Sequence, residues 1–205
     1  MLVASFYFAL NGALAKVMAE RMSSAEIVFF RNVVGIAIVL FSLRRIKNLG
    51  PGGKPWLLAF RGFIGSCGIL ATFYNIAHID LGTAFTFQKT APIFTALFSA
   101  FFLGEKLSSK GWFAILLGFG GILLVVRPHI GISVTDAVGI FGGMCAGLAY
   151  TSVRELRKHY ATNLIVLVFV SSATFLSATM MITGWVLEGS EVKILGLFSG
   201  ADLAK

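Results

Sequence analysis

Residues 82–104 read GTAFTFQKTAPIFTALFSAFFLG, an apolar run interrupted by one charge, Lys89, and one proline, Pro92. As a helix rising about 1.5 Å per residue, this run is roughly 34 Å long, enough to cross the ~30 Å hydrocarbon layer of a bilayer. The same arithmetic places further spans near 2–20, 25–43, 56–77, 111–126, 134–153 and 164–187. No run shows the sustained period-two alternation of a barrel strand. The gaps are short; the longest early one, Arg44 to Pro55, contains the breaker Gly50-Pro51-Gly52-Gly53. Beyond Glu188 the chain is more polar, and its apolar patch Ile194–Phe198 is too short to span. The expected fold is an all-α membrane protein, a polytopic helical bundle of about seven spans.

Composition agrees. The 205 residues are 57% hydrophobic and 13% charged, with a mean hydropathy of +0.88. A soluble domain carries roughly 25% charged residues, so lipid is the expected solvent. The net charge of +8 invites a nucleic-acid partner, but the Lys and Arg residues form no stripe and sit mostly in the gaps between apolar runs. Cys67 and Cys145 lie inside apolar runs with no metal-ligand spacing and no disulfide framework, and read as small buried residues. The first run, Met1–Val17, has neither a basic n-region nor a clean cleavage site, so it reads as a first membrane helix rather than a signal peptide.

The gap charges set an orientation. Arg44, Arg45, Lys47 and Lys54 follow the second span, Lys106 and Lys110 the fourth, and Arg154, Arg157 and Lys158 the sixth. The other gaps and the tail carry Arg21, Arg127 and Lys193, with Lys16 at the rim. By the positive-inside rule the N-terminus is cytoplasmic, and in a bacterial setting the protein is a multi-pass inner-membrane protein.

Glycines recur at helix-packing intervals: Gly62, Gly65 and Gly68 in the third span, Gly118 and Gly121 in the fifth, Gly139, Gly143 and Gly147 in the sixth. A faint repeat overlies them. Leu14-Ala15 corresponds to Leu148-Ala149, and Ile27-Val28 to Ile165-Val166. A repeat unit of five helices would insert its second copy upside down, the inverted topology of secondary transporters. The division expected is a first repeat over 1–130 and an incomplete second one over 131–205. On that account Gly139, Gly143 and Gly147 face either a vacancy left by three absent helices or a partner chain, which makes a homo-oligomer one expectation.

Several motifs carry a family likeness. Asn11 and Lys16 in the first span, Arg31 in Phe29-Phe30-Arg31-Asn32, and Ala84, Pro92 and Gly104-Glu105-Lys106-Leu107 in and after the fourth resemble the EamA family of the drug/metabolite transporter superfamily. Gly118–Leu124 is similar to its fifth helix, and Gly147-Leu148-Ala149-Tyr150-Thr151 to the start of its second repeat; Phe8 stands where the family often has Trp. The resemblance covers residues 1 to about 187. It implies ten helices in two inverted five-helix repeats, and export or exchange of metabolites.

Ionisable groups within spans raise a functional reading. Lys89 and Arg31 each lie about 10 Å inside the membrane from the same side. Snorkelling, or pairing with Glu26, is the competing reading. Gln88, Thr86 and Asn11 add hydrogen-bonding capacity, and Pro92 frees a carbonyl near Gln88, with a simple helix kink as the plainer outcome. Lys89, Thr86 and Phe85 on one helix face suit an amphipathic solute bearing a carboxylate, such as an amino acid, with Glu26 as the alternative counterion. Glu105 reads as structural, Tyr74 and Tyr150 as packing aromatics, and His78, His129 and His159 as loop residues without metal spacing. No metal or cofactor is expected. Rival classes are a lipid-modifying membrane enzyme and a non-transporting assembly subunit. The first lacks paired carboxylates and catalytic motifs. Without a Walker motif or a mid-membrane acid, exchange or facilitated flow is favoured over ATP or proton drive.

Overall fold

The computed structural model describes residues 2–44, 50–104, 108–126 and 133–188. These form helices α1 (Leu2–Met18), α2 (Ser24–Leu43), α3 (Pro55–His78), α4 (Leu81–Gln88), α5 (Ala91–Leu103), α6 (Ser109–Val126), α7 (Val134–Leu156) and α8 (Thr162–Glu188). The chain is thus an all-helical polytopic bundle, as its sequence requires. Among the described residues three helices are long and apolar enough to cross a membrane on length and composition alone: α2, α3 and the 162–185 stretch of α8. The remaining crossings fall short individually. α1 has 17 residues, α7 is diluted by glycines and hydroxyls, and the fourth span is divided between α4 and α5.

That division corrects the reading of residues 82–104 as one kinked helix. Pro92 has no N–H to give to the carbonyl of Gln88, and its ring crowds the preceding turn. The chain tightens at Lys89–Thr90, where the Thr90 backbone N–H and hydroxyl both donate to the Phe87 carbonyl, at 3.0 and 2.6 Å.

Local chemistry fixes the other ends. Ser23 and Glu26 form a capping box at α2, the Ser23 amide donating to Glu26 Oε2 at 2.7 Å. Ser133 and Asp136 do the same at α7. Asp80 caps α4, and hydrogen bonds from Thr83 hold its carboxyl below the usual range. Lys16 Nζ donates to the carbonyls of Ala77 (3.2 Å) and Ile79 (2.7 Å), a cation at the C-terminal end of α3. His78 is the last residue of α3 rather than a loop residue; its Nδ1 lies 2.8 Å from the Tyr74 carbonyl and its ring stacks on Tyr74.

At the opposite end a polar clamp joins the α2–α3 connection to the α7–α8 turn. Gly52 donates to the His159 carbonyl (3.0 Å), and Glu155 accepts from Lys54 (2.7 Å) and Lys158 (2.8 Å). Glu155 lies beyond the apolar span 134–153, and Lys158 and Lys54 lower its carboxyl to about 2.

α3 is the hub, packed against α1, α2, α4, α7 and α8. Its glycines make this possible. Gly62 abuts Ser172 and Val168 of α8, and Gly68 abuts Cys145 and Ala146 of α7. Gly139, Gly143 and Gly147 face Phe87, Thr90 and Phe94 of the broken span. The expectation that these three await absent helices or a partner chain is therefore wrong: they are buried against α4 and α5, which lets the backbones approach. Gly118 packs on Ile93, whereas Gly120 and Gly121 have nothing within 4 Å. Buried serines return their hydroxyls to their own helix, Ser66 to Gly62 and Ser177 to Ala173. Cys145 is buried and Cys67 half-buried, both free. The outer surface carries Phe101, Leu124 and Trp185, each more than three-quarters exposed, as lipid contact demands. Glu105, His129, the 130/131 repeat boundary and the 194–198 patch lie outside the described residues.

A methyl group at Gly147 would meet the Phe94 carbonyl carbon and the Thr95 nitrogen at 3.0 Å, backbone atoms that cannot turn aside. Gly147→Ala is expected to destabilise the chain by about 1–3 kcal/mol through overpacking. Gly121→Ala meets open space and is expected to be neutral or stabilising by up to about 1 kcal/mol from helix propensity. Thermal unfolding in detergent, with both variants in parallel, checks the pair.

Candidate functional site

A cavity of about 260 Å³ opens between α1, α2, α3, α4, α7 and α8. Its apolar wall includes Phe8, Phe73, Phe85 and Phe169. Its polar groups are Asn11, Arg31, Arg61, Thr72, Gln88 and Tyr150, and no Asp or Glu lines it among the described residues. α3 forms one side from Arg61 to Ile76, roughly 22 Å along the helix axis.

The helices deliver the two guanidiniums to different heights. Arg31 projects from α2 with Cζ 5.3 Å from the Phe73 ring centroid. Arg61 rises from the first turns of α3 with Cζ 4.8 Å from the ring of Phe169 on α8, its Nη1 lying against Gly65. Phe73 and Gly65 are eight residues apart on α3, which separates the guanidiniums by roughly 12 Å along the axis. Each rests on an aromatic face, a favourable cation–π arrangement. Stacking does not satisfy the N–H groups: Arg61 Nε and Nη1 are buried with no hydrogen-bond partner. A guanidinium keeps its proton under all ordinary conditions, so a carboxylate or phosphate entering the cavity meets donors that nothing in the described protein occupies.

The structure sorts the residues expected from sequence. Arg31, Asn11 and Gln88 line the cavity. Lys89 does not: it is the exposed C-cap of α4, with Nζ 5.8 Å from the ring of Phe8, itself a wall residue. Thr86 returns its hydroxyl to the Gly82 carbonyl at 2.9 Å and lies outside the lining. Glu26 is engaged by Ser23 in the capping box and lies outside the lining as well. Pro92 acts by breaking the span just past Gln88. Tyr150, expected as packing, is a half-exposed cavity residue. Sequence reasoning missed Arg61 and Phe169. Arg61 carried only a weak signal, a cation about 8 Å into the third apolar run but close behind Lys54 and Pro55.

An all-helical bundle with small-residue packing faces, a proline-broken span and a polar cavity is the architecture of a polytopic helical membrane protein. The sequence model of the EamA-like transporter family matches residues 1–127, and the chain belongs to that family. It is 33% identical over 187 residues to an "Uncharacterized transporter" of Helicobacter pylori (strain J99 / ATCC 700824), covering 88% of this chain and 62% of that protein. It is 33% identical over 191 residues to the "Pseudopaline exporter CntI" of Pseudomonas aeruginosa (strain UCBPP-PA14), covering 92% and 67%. A more distant relative, the "S-adenosylmethionine uptake transporter" of Rickettsia bellii (strain RML369-C), is 27% identical, with 58% and 41% covered. The chain thus spans about two thirds or less of the length of these relatives. They are transporters rather than enzymes, which removes the membrane-enzyme alternative.

If Arg61 is held buried for a ligand and not for the fold, removing its charge relieves an unmet demand. Arg61→Met, which keeps much of the volume, is expected to leave the ligand-free chain as stable or more stable by about 1–3 kcal/mol. Chemical unfolding in detergent checks this, and a large loss of stability would mark Arg61 as structural.

Proposed function

We propose that this chain acts as a secondary transporter of small amphipathic metabolites bearing a carboxylate, as an exporter or exchanger without ATP drive. The observation that carries this reading is the pairing of Arg31 and Arg61 in one cavity whose lining holds no acid among the described residues, with two Arg61 nitrogens unpaired. The two cations form stations along a path, Arg61 nearer the basic-rich ends of the helices and Arg31 nearer the far side. A solute carboxylate passes between them while its apolar body slides against Phe8, Phe73, Phe85 and Phe169. Asn11, Gln88 and Tyr150 bind its polar groups, and Lys89 and Thr86 attract it outside the lining.

Arg44, Lys54, Lys110, Arg154, Arg157 and Lys158 flank the same ends of the helices, so the N-terminus is assigned to the cytoplasm of a cell bounded by an inner membrane. α7 and α8 are assigned to a second repeat, inverted on the first. Ala15 and Ala149, and Ile27 and Ile165, are buried alike; Val28 is buried while its counterpart Val166 is exposed. The relatives include one protein named for export and one named for uptake, consistent with a reversible path rather than a one-way pump.

The test is uptake of radiolabelled amphipathic monocarboxylates and amino acids into proteoliposomes holding the chain. A charge-assisted hydrogen bond to carboxylate is worth about 1.5–3 kcal/mol, so Arg61→Gln and Arg31→Gln are each expected to lower uptake roughly tenfold or more. Lys89→Ala, which touches only the rim, is expected to retain about half or more, in line with the small worth of exposed charges. Wild-type uptake by Arg61→Gln would overturn the assignment.

A further inference from the structure

Arg61 sits only about 8 Å above the start of the apolar run of α3, whose polar end is marked by Lys54 and the exposed Trp56. A long basic side chain at that depth has a short way back to water, and snorkelling is its ordinary course. Helix geometry adds to the pull, because every Cα–Cβ bond tilts toward the helix N-terminus, here the polar end. Yet the guanidinium runs the other way. Its Nη1 lies beside Gly65, one turn further along α3, and its Cζ is 4.8 Å from the centroid of the Phe169 ring. Nε and Nη1 are buried there without hydrogen-bond partners.

The guanidinium occupies a place that any other residue at position 65 would fill. A side chain there leans back over the preceding turn, the turn that carries Arg61. Even a methyl group would strike Arg61 Nη1 and meet two carbons of the Phe169 ring at 2.9 and 3.0 Å. The clash differs in kind from that at Gly147, which falls on backbone. Here it falls first on the free end of a long side chain that has an alternative course to water, so the fold yields by releasing the guanidinium. Gly62, on the same helix, supplies the contrast. The nearest neighbours of a methyl group there are Ser172 and Val168 of α8, so Gly62 serves the contact between the two helices.

We propose that Gly65 is a positioning residue for the transport site: with Phe169 it forms a slot that turns the Arg61 guanidinium into the cavity, and a side chain at position 65 would send Arg61 back to the interface as a snorkelling cation. For its effect on the solute the proposal rests on the carboxylate reading above; the placement of Arg61 is measurable apart from any solute.

Two measurements on the 205-residue chain in lipid nanodiscs test it. The first is the rate at which phenylglyoxal modifies Arg61, read by peptide mass spectrometry against the exposed Arg157 as internal reference. Gly65→Ala is expected to raise the Arg61 rate severalfold, and Gly62→Ala to leave it near the wild-type value. The second, by calorimetry, is the preference for 4-methylpentanoate over its uncharged counterpart 4-methylpentanamide. Gly65→Ala is expected to cut that preference about tenfold, the scale of one charged hydrogen bond, and to cut it no further in a chain that already carries Arg61→Gln. A wild-type Arg61 rate in Gly65→Ala overturns the slot, as does Gly62→Ala matching Gly65→Ala in both measurements. A raised rate with the preference intact, where Arg61→Gln loses it, overturns the role in binding. If Gly65→Ala fails to fold, the double variant with Arg61→Gln decides: a recovered fold supports the slot, and an equal failure assigns Gly65 to helix packing and overturns it. If the wild type shows no preference, or Arg61→Gln keeps it, the carboxylate reading fails while the modification rate still decides the slot.

Discussion

Two guanidiniums that cannot lose their protons sit on helices whose other faces meet lipid, and this sets the terms for the rest of the molecule. Hydrocarbon cannot solvate them, and the described protein offers no carboxylate to pair with either. They are tolerated because they open onto a polar cavity, each resting on a phenylalanine face. The cavity in turn needs six helices held around it without the hydrophobic effect, since lipid is as apolar as the packing side chains. Close backbone approach supplies that adhesion, and it explains the glycines: the face of α3 that seats α7 and α8, and the face of α7 that seats the broken span.

The break at Lys89–Thr90 links packing to site. Pro92 removes one helical hydrogen bond, Thr90 closes the chain onto Phe87, and Gly143 accommodates Thr90. The outcome is that Gln88 ends α4 at the wall of the cavity, with its carbonyl denied the N–H that Pro92 lacks and its side-chain oxygen buried and unpaired. A continuous helix would hold that carbonyl in its own ladder. Irregular backbone at membrane depth is tolerated where it borders a cavity, and discontinuous helices in transporters commonly do so.

Much of this was legible in the sequence, because lipid imposes simple rules. Each crossing must be long and apolar, so the span boundaries follow from counting, and the family likeness rests on motifs such as Gly104-Glu105-Lys106-Leu107. Rotation about a helix axis is not written so plainly. Lys89 and Arg31 lie at matching depth and both are exposed, yet only Arg31 lines the cavity, because α4 ends at Gln88 and carries Lys89 out on its cap. Glu26 had a local explanation in plain view, since Ser23 three residues earlier makes a capping box, and its role as counterion to Arg31 needed a side chain that was already engaged. Arg61 was hidden by its neighbourhood: close behind Lys54 and Pro55, it reads as one more basic residue near a helix end. Only the fold shows its guanidinium reaching inward to Gly65 beneath Phe169. The glycine ladder of α7 was visible as a packing face, but which neighbour it meets depends on the path of the broken span.

The central claim is that the cavity is electropositive and accessible to anions. A cysteine at Ile69, which lies on the α3 wall between the levels of the two arginines, reports this directly in a Cys67→Ser, Cys145→Ala background. Its modification by anionic sulfonatoethyl and cationic trimethylammonioethyl methanethiosulfonates is timed at low ionic strength, each rate divided by that of the reagent with free 2-mercaptoethanol. The account predicts that the anionic reagent is favoured about tenfold, the low end of electrostatic focusing in a charged cleft, and that the preference falls as salt rises. A cationic reagent that reacts equally fast or faster would contradict it.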